Sequence, residues 1–126
     1  MNDATYPSLS GRTALVTGAG GGIGHAICTA LLAQGVTVFA SDLNAPEAPE
    51  GVIPVKLDVT STEDWQAVTD LISQETGALH VLVNNAGTNI PQAFVDVESA
   101  ALDTMLNLNV RAAFIVAQAA VKRMLQ

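Results

Sequence analysis

The sequence predicts an α/β fold, a doubly wound parallel sheet with helices on both faces, in which all 126 residues form one domain. Three observations predict it. Short, nearly continuous apolar runs such as "TALVT" and "LHVLV" alternate with amphipathic stretches of helical length. A glycine-dense loop, "GAGGGIG", joins the first of these runs to the first helix. No linker, internal repeat or low-complexity segment interrupts the alternation.

The elements follow in order. Thr13–Thr17 reads as a buried strand, and Gly22–Gln34 as an amphipathic helix stopped by Gly35. Val36–Ser41 is a second strand. Pro46 and Pro49 in "NAPEAPEG" disfavour a long helix in the next crossover. "VIPVKLDV" is a third strand, and Pro54 suggests a sheet edge because proline cannot donate to a ladder. In "TSTEDWQAVTDLISQETG", Thr60 and Ser61 are N-cap candidates. Glu63 and Asp64 stand three residues on, at capping-box spacing, and Gly77 closes the helix. "LHVLVN" is a fourth strand. After the loop "NAGTNIPQAF" come two helical stretches, Glu98–Leu108 and Asn109–Leu125, and no fifth strand follows.

Composition narrows the function. The net charge is −7, and the five basic residues form no run beyond Lys122–Arg123. That argues against nucleic acid or an anionic membrane surface as a partner. The longest strictly apolar run, "AAFIVA", is far short of the ~20 residues that span a bilayer. The start "MNDATYPSLSGR" lacks the basic-then-apolar order of a secretion signal. Cys28 is the only cysteine, and His25 and His80 stand far apart, so neither an intramolecular disulfide nor a metal site is expected. The default expectation is a soluble cytoplasmic protein.

A strand, a glycine loop and a helix together aim backbone N–H groups and the positive end of the helix dipole at an anion. A mononucleotide P-loop needs a lysine that this loop lacks. The G-x-G-x-x-G fingerprint fails as well, because its third glycine falls on Ile23, His25 or Ile27. G-x-x-x-G-x-G fits Gly18, Gly22 and Gly24, with Thr17 in front. Asp42 ends the second strand, where a carboxylate can accept bonds from ribose hydroxyls and repel a 2′-phosphate. No Arg or Lys lies between Gly18 and Lys56 to offer that phosphate a partner. Asp42 read blandly is a solvated turn cap, and Asp58 in "DVT" the start of a helix cap. "NNAG" (Asn84–Gly87) ends the fourth strand, and "NLNV" (Asn107–Val110) lies in the last helical region.

In this order, these motifs resemble the short-chain dehydrogenase/reductase family from Gly11 to Gln126. The resemblance implies a Rossmann-type sheet with strand order 3-2-1-4, and an NAD-dependent oxidoreductase interconverting an alcohol and a ketone by hydride transfer. It implies that Gly18, Gly22, Ile23 and Gly24 bind the cofactor pyrophosphate. Asp42 would take the adenosine ribose, favouring NAD over NADP; Asp58 and the Val59 backbone would take the adenine. Asn85, Ala86 and Gly87 would lie beside the cofactor, with Asn84 mainly in structural support. Asn109 aligns with the family's catalytic asparagine, which distorts its helix and helps hold a water in a proton relay. The last helix would form a subunit interface, giving a homo-oligomer; its apolar series from Ala113 to Met124 is wider than one burial stripe, though inward core alone is also open.

The family's serine and Y-x-x-x-K pair are absent. The only tyrosine, Tyr6, is followed four residues on by Ser10, while Lys56 and Lys122 are preceded at that spacing by Val52 and Gln118. The expectation is therefore the N-terminal half of such an enzyme, cut after the fourth strand and its long helix and inactive by itself. Two other readings stay open: a stand-alone NAD-binding module, and a methyltransferase, against which "DVT" and "NNAG" argue. Cys28 and Trp65 are read as packing residues.

Overall fold

A computed structural model describes residues 4–126. Its sheet has four parallel strands in the order β3-β2-β1-β4, as the resemblance implied. They are β1 Thr13–Val16, β2 Thr37–Asp42, β3 Ile53–Lys56 and β4 Val81–Val83. The helices are α1 Gly22–Ala33, α2 Thr62–Glu75, α3 Ser99–Leu106 and α4 Ala113–Met124.

The apolar runs form central strands because both of their faces are covered. Successive side chains point to opposite sides of a strand. Thus Ala14, Val16, Val38 and Ala40 pack with Cys28 of α1, whereas Leu15 and Phe39 pack with Trp65, Ile72 and Val116 of α2 and α4. Leu15 and Phe39 are fully buried, each contributing about 1.5–3 kcal/mol. Pro54 sits on edge strand β3, paired only to β2. The β2–β3 crossover has no helix, in keeping with Pro46 and Pro49.

Ser61 caps α2, its Oγ accepting the Asp64 N–H at 3.2 Å. The reciprocal half of the capping box is missing. The Ser61 N–H goes to the Asp58 carbonyl, and the Asp64 carboxylate instead takes the Asp58 N–H at 2.8 Å. At the other end Gly77, with φ +78°, donates to the Ile72 and Ser73 carbonyls, and Arg123 Nη2 reaches the Gly77 carbonyl at 2.9 Å.

The separate helices expected at Glu98–Leu108 and Asn109–Leu125 are one rod, Ser99–Met124. The stretch contains no glycine or proline to break it. The irregularity is absorbed instead as a π-helical turn, Asn107–Ala112. The rod is long and apolar enough to cross a membrane by length and composition alone. In this fold Ala112, Val116 and Ala120 bury one face on the sheet, while Phe114 and Val121 are exposed on another.

Candidate functional site

The C-terminal ends of the strands open onto a cavity of about 390 Å³, where an open parallel sheet presents its ligand crevice. The glycine loop contributes Gly18, Gly22, Ile23 and Gly24 to its lining. Asp42, Asp58 and Val59 come from the ends of β2 and β3, and Asn85, Ala86 and Gly87 from the loop after β4. Leu57 and Leu108, which sequence reasoning passed over, add apolar surface.

The motif glycines are there for different reasons. Gly18 has φ +64°, and a Cβ on it would lie 2.9 Å from Ala86 Cα. A Cβ on Gly24 would lie 2.6 Å from the Gly18 carbonyl oxygen and 2.8 Å from Ala19 Cα. Both are therefore required by the protein's own packing. Gly22 is not: its φ is not positive, and among the described residues a Cβ there would meet nothing within 4 Å beyond its chain neighbours and its own helix's backbone. It opens α1, whose N-cap, Gly21, offers no side-chain acceptor. The first N–H groups of the helix and its positive dipole end are thus available to an anion at the cavity wall.

The two aspartates are already engaged. Asp42 accepts the Gly20 N–H on Oδ2 at 2.9 Å and the Leu43 N–H on Oδ1 at 2.8 Å. Asp58 Oδ1 accepts both the Thr60 hydroxyl, at 2.6 Å, and the Thr60 N–H, at 2.9 Å. Those two bonds, the hydroxyl's first, hold the Asp58 carboxyl below the ordinary aspartate range, against a smaller opposing effect of burial. Asp58 thus serves a turn before the α2 cap while it faces the cavity.

Thr17 is the residue that sequence reasoning missed. Fully buried, its hydroxyl oxygen accepts the N–H groups of Asn85 and Ala86, each at 3.0 Å, and donates to the Val83 carbonyl at 3.4 Å. Asn85 Nδ2 adds a bond to the Gly18 carbonyl at 3.2 Å. The loops after β1 and β4 are therefore stitched together under the cavity. The signal available was a hydroxyl directly before the first glycine. Asn84 ties the sheet to the helical rod, donating to the Ala113 carbonyl at 2.8 Å, rather than tying one strand to another.

Asn109 lies in the π-helical turn and not in the cavity wall. Its Oδ1 accepts the Thr88 N–H and its Nδ2 donates to the Thr88 carbonyl, both at 2.7 Å. A Cβ on Gly87 would come within 3.0 Å of that Oδ1. Asn109 is thus brought to the cavity only through the Gly87–Thr88 backbone. Tyr6 lies at the opposite end of α1, its N–H on Gln34 Oε1. Cys28 is buried, and burial pushes its thiol pKa up, as for an inert packing residue.

Known proteins place this arrangement. Residues 12–126 match the family model described as short chain dehydrogenase. L-xylulose reductase of Mus musculus is 42% identical over 124 residues, covering 93% of this chain and 49% of the relative. The 3-beta-hydroxysteroid dehydrogenase of Comamonas testosteroni is 36% identical over 126 residues, covering 92% and 48%. The aldohexose dehydrogenase structure from Thermoplasma acidophilum superposes with a TM-score of 0.86 at 26% identity, over 94% of this chain and 46% of that one. The chain thus spans about half the length of the curated relatives it matches. With the glycine loop, the aspartate ending β2 and the loop after β4 meeting at one cavity, and with the family match running through all three, the chain belongs to the short-chain dehydrogenase family.

Proposed function

We propose that this chain binds NAD in the cavity and supplies the cofactor-binding part of an oxidoreductase that interconverts an alcohol and a ketone. The observation that carries the reading is Gly22. No contact among the described residues requires a glycine there, so the open space beside it, at an uncapped helix N-terminus, is room for a ligand with an anionic group. The residues fit a dinucleotide: amides of Gly22, Ile23 and Gly24 for the pyrophosphate, with Gly18 shaping the turn. Asp42 suits the ribose hydroxyls, Asp58 and Val59 the adenine, and Asn85, Ala86 and Gly87 the further part of the cofactor. When bound, the nicotinamide supplies the hydride chemistry. Asn109 holds the loop after β4 through Thr88 and, by family likeness, belongs to the proton relay. Asp42, with no basic residue between Gly18 and Lys56, favours NAD over NADP.

The same reading makes the protein soluble and cytoplasmic, its partners being a small alcohol or ketone and, through exposed Phe114 and Val121, a second copy of itself. A second reading is a module that binds NAD without turnover. Calorimetric titration with NAD, NADP and S-adenosylmethionine tests the cofactor reading, with NAD expected to bind tightest. Tighter binding of S-adenosylmethionine would overturn it. NADH absorbance across a panel of alcohols and ketones separates the enzyme from the binding module.

A further inference from the structure

The glycine loop holds one glycine whose reason lies outside the G-x-x-x-G-x-G pattern. Gly20 does not have a positive φ, so its backbone would accept any side chain. What excludes a side chain is Asp42: a Cβ on Gly20 would lie 2.7 Å from Asp42 Oδ2 and 3.4 Å from its Cγ. The same oxygen accepts the Gly20 N–H at 2.9 Å, while Oδ1 is fixed by the Leu43 N–H. Both carboxylate oxygens are therefore aimed by backbone donors, one from the strand end and one from the loop. We infer that Gly20 is a positioning residue for Asp42 and thereby a determinant of the choice between a free and a 2′-phosphorylated ribose. This rests on the cofactor reading above, in which Asp42 meets the ribose.

A methyl at position 20 would collide with the mobile end of a side chain rather than with backbone. The carboxylate would therefore swing away and the fold would survive. Lost aim would weaken the charge-assisted bonds to ribose hydroxyls, lowering NAD affinity roughly tenfold and eroding the NAD-to-NADP affinity ratio by a similar factor. The test is a double-mutant cycle on the whole chain, measuring NAD and NADP dissociation constants for Gly20→Ala, Asp42→Ala and the pair. Gly20→Ala is expected to act in the wild-type background and to have less than a twofold effect once Asp42 is Ala, which removes the carboxylate the methyl would meet. Equal losses in both backgrounds, or no loss with Asp42 present, would overturn the inference. If Asp42→Ala itself leaves both affinities unchanged, it is the cofactor reading that fails. A measurement without cofactor stands beside the cycle: hydrogen exchange of the Gly20 amide, expected to be slow in the wild type and fast in Asp42→Ala. Fast exchange in both would show that the pair does not form and end the proposal.

Discussion

Replacing Thr17 by Val tests the stitch beneath the cavity. The change keeps a β-branched side chain of similar volume, so the cost comes from the hydroxyl rather than from a void. Two N–H groups lose their acceptor. That of Asn85 also faces the Val83 carbonyl at 3.0 Å and keeps a partner; that of Ala86 has Thr17 Oγ1 as its acceptor. One orphaned, part-buried donor costs about 1–3 kcal/mol, and the weakened second bond adds a fraction of that, so the total is about 1.5–3 kcal/mol. Against a domain stability of roughly 5–15 kcal/mol, that is a large loss. Urea unfolding followed by circular dichroism should show the midpoint fall by about 1–2 M with the slope unchanged, for a slope near 1.5 kcal/mol/M. Thr17→Ser keeps the oxygen and loses one methyl, costing about 1 kcal/mol. A Val variant within ~0.5 kcal/mol of wild type, or a Ser variant as damaged as the Val one, would refute the stitch.

The loop glycines should separate stability from binding. Gly22→Val is expected to leave the thermal midpoint unchanged while abolishing NAD binding in calorimetry. Gly24→Ala must move the backbone of Gly18 and Ala19 and should cost about 1–3 kcal/mol in urea unfolding. Asp42→Ala should shrink the NAD-over-NADP preference by about 30-fold, or ~2 kcal/mol; an unchanged ratio of dissociation constants would remove Asp42 from the site. The Asp58–Thr60 pair predicts a pH dependence. Because folding lowers the Asp58 pKa below its ordinary 3.8, the pair's stabilisation is fully present above that value and is lost as pH falls through the folded value. Thr60→Val should therefore flatten the acid limb of stability plotted against pH, and identical limbs would contradict the assignment.

What could be read from the sequence was local. The β1–loop–α1 unit declares itself because apolar run, glycines and amphipathic helix are contiguous, and Pro54 marks an edge through its missing N–H. Asp42 and "NNAG" are legible as strand ends. The stitch was not legible, because the Thr17 hydroxyl meets partners 68 and 69 residues away in the chain. Nor was the role of His80, whose Nδ1 accepts the N–H of Thr13 at 2.9 Å across the start of β1 and β4. The break expected between Leu108 and Asn109 is absent, although asparagine is disfavoured inside a helix. With no glycine or proline nearby, the helix kept going and accommodated it by widening a turn.

That widened turn makes the Asn107–Ala112 stretch sensitive to insertions and deletions in a way that no single substitution reveals. A π turn seats about one residue more than an α turn, so deleting Leu108 would restore an ordinary turn and change the angle between Asn109 and the helix beyond it. Asn109 could then stay on Thr88, or Val116 and Ala120 could stay in the core, but not both. Side-chain changes here would be graded in effect, whereas a one-codon change in length would break either the clamp on the loop after β4 or the packing of α4. The spacing between Asn109 and Val116 thus works as a gauge, matching the reach of the Thr88 clamp to the seat of the helix on the sheet.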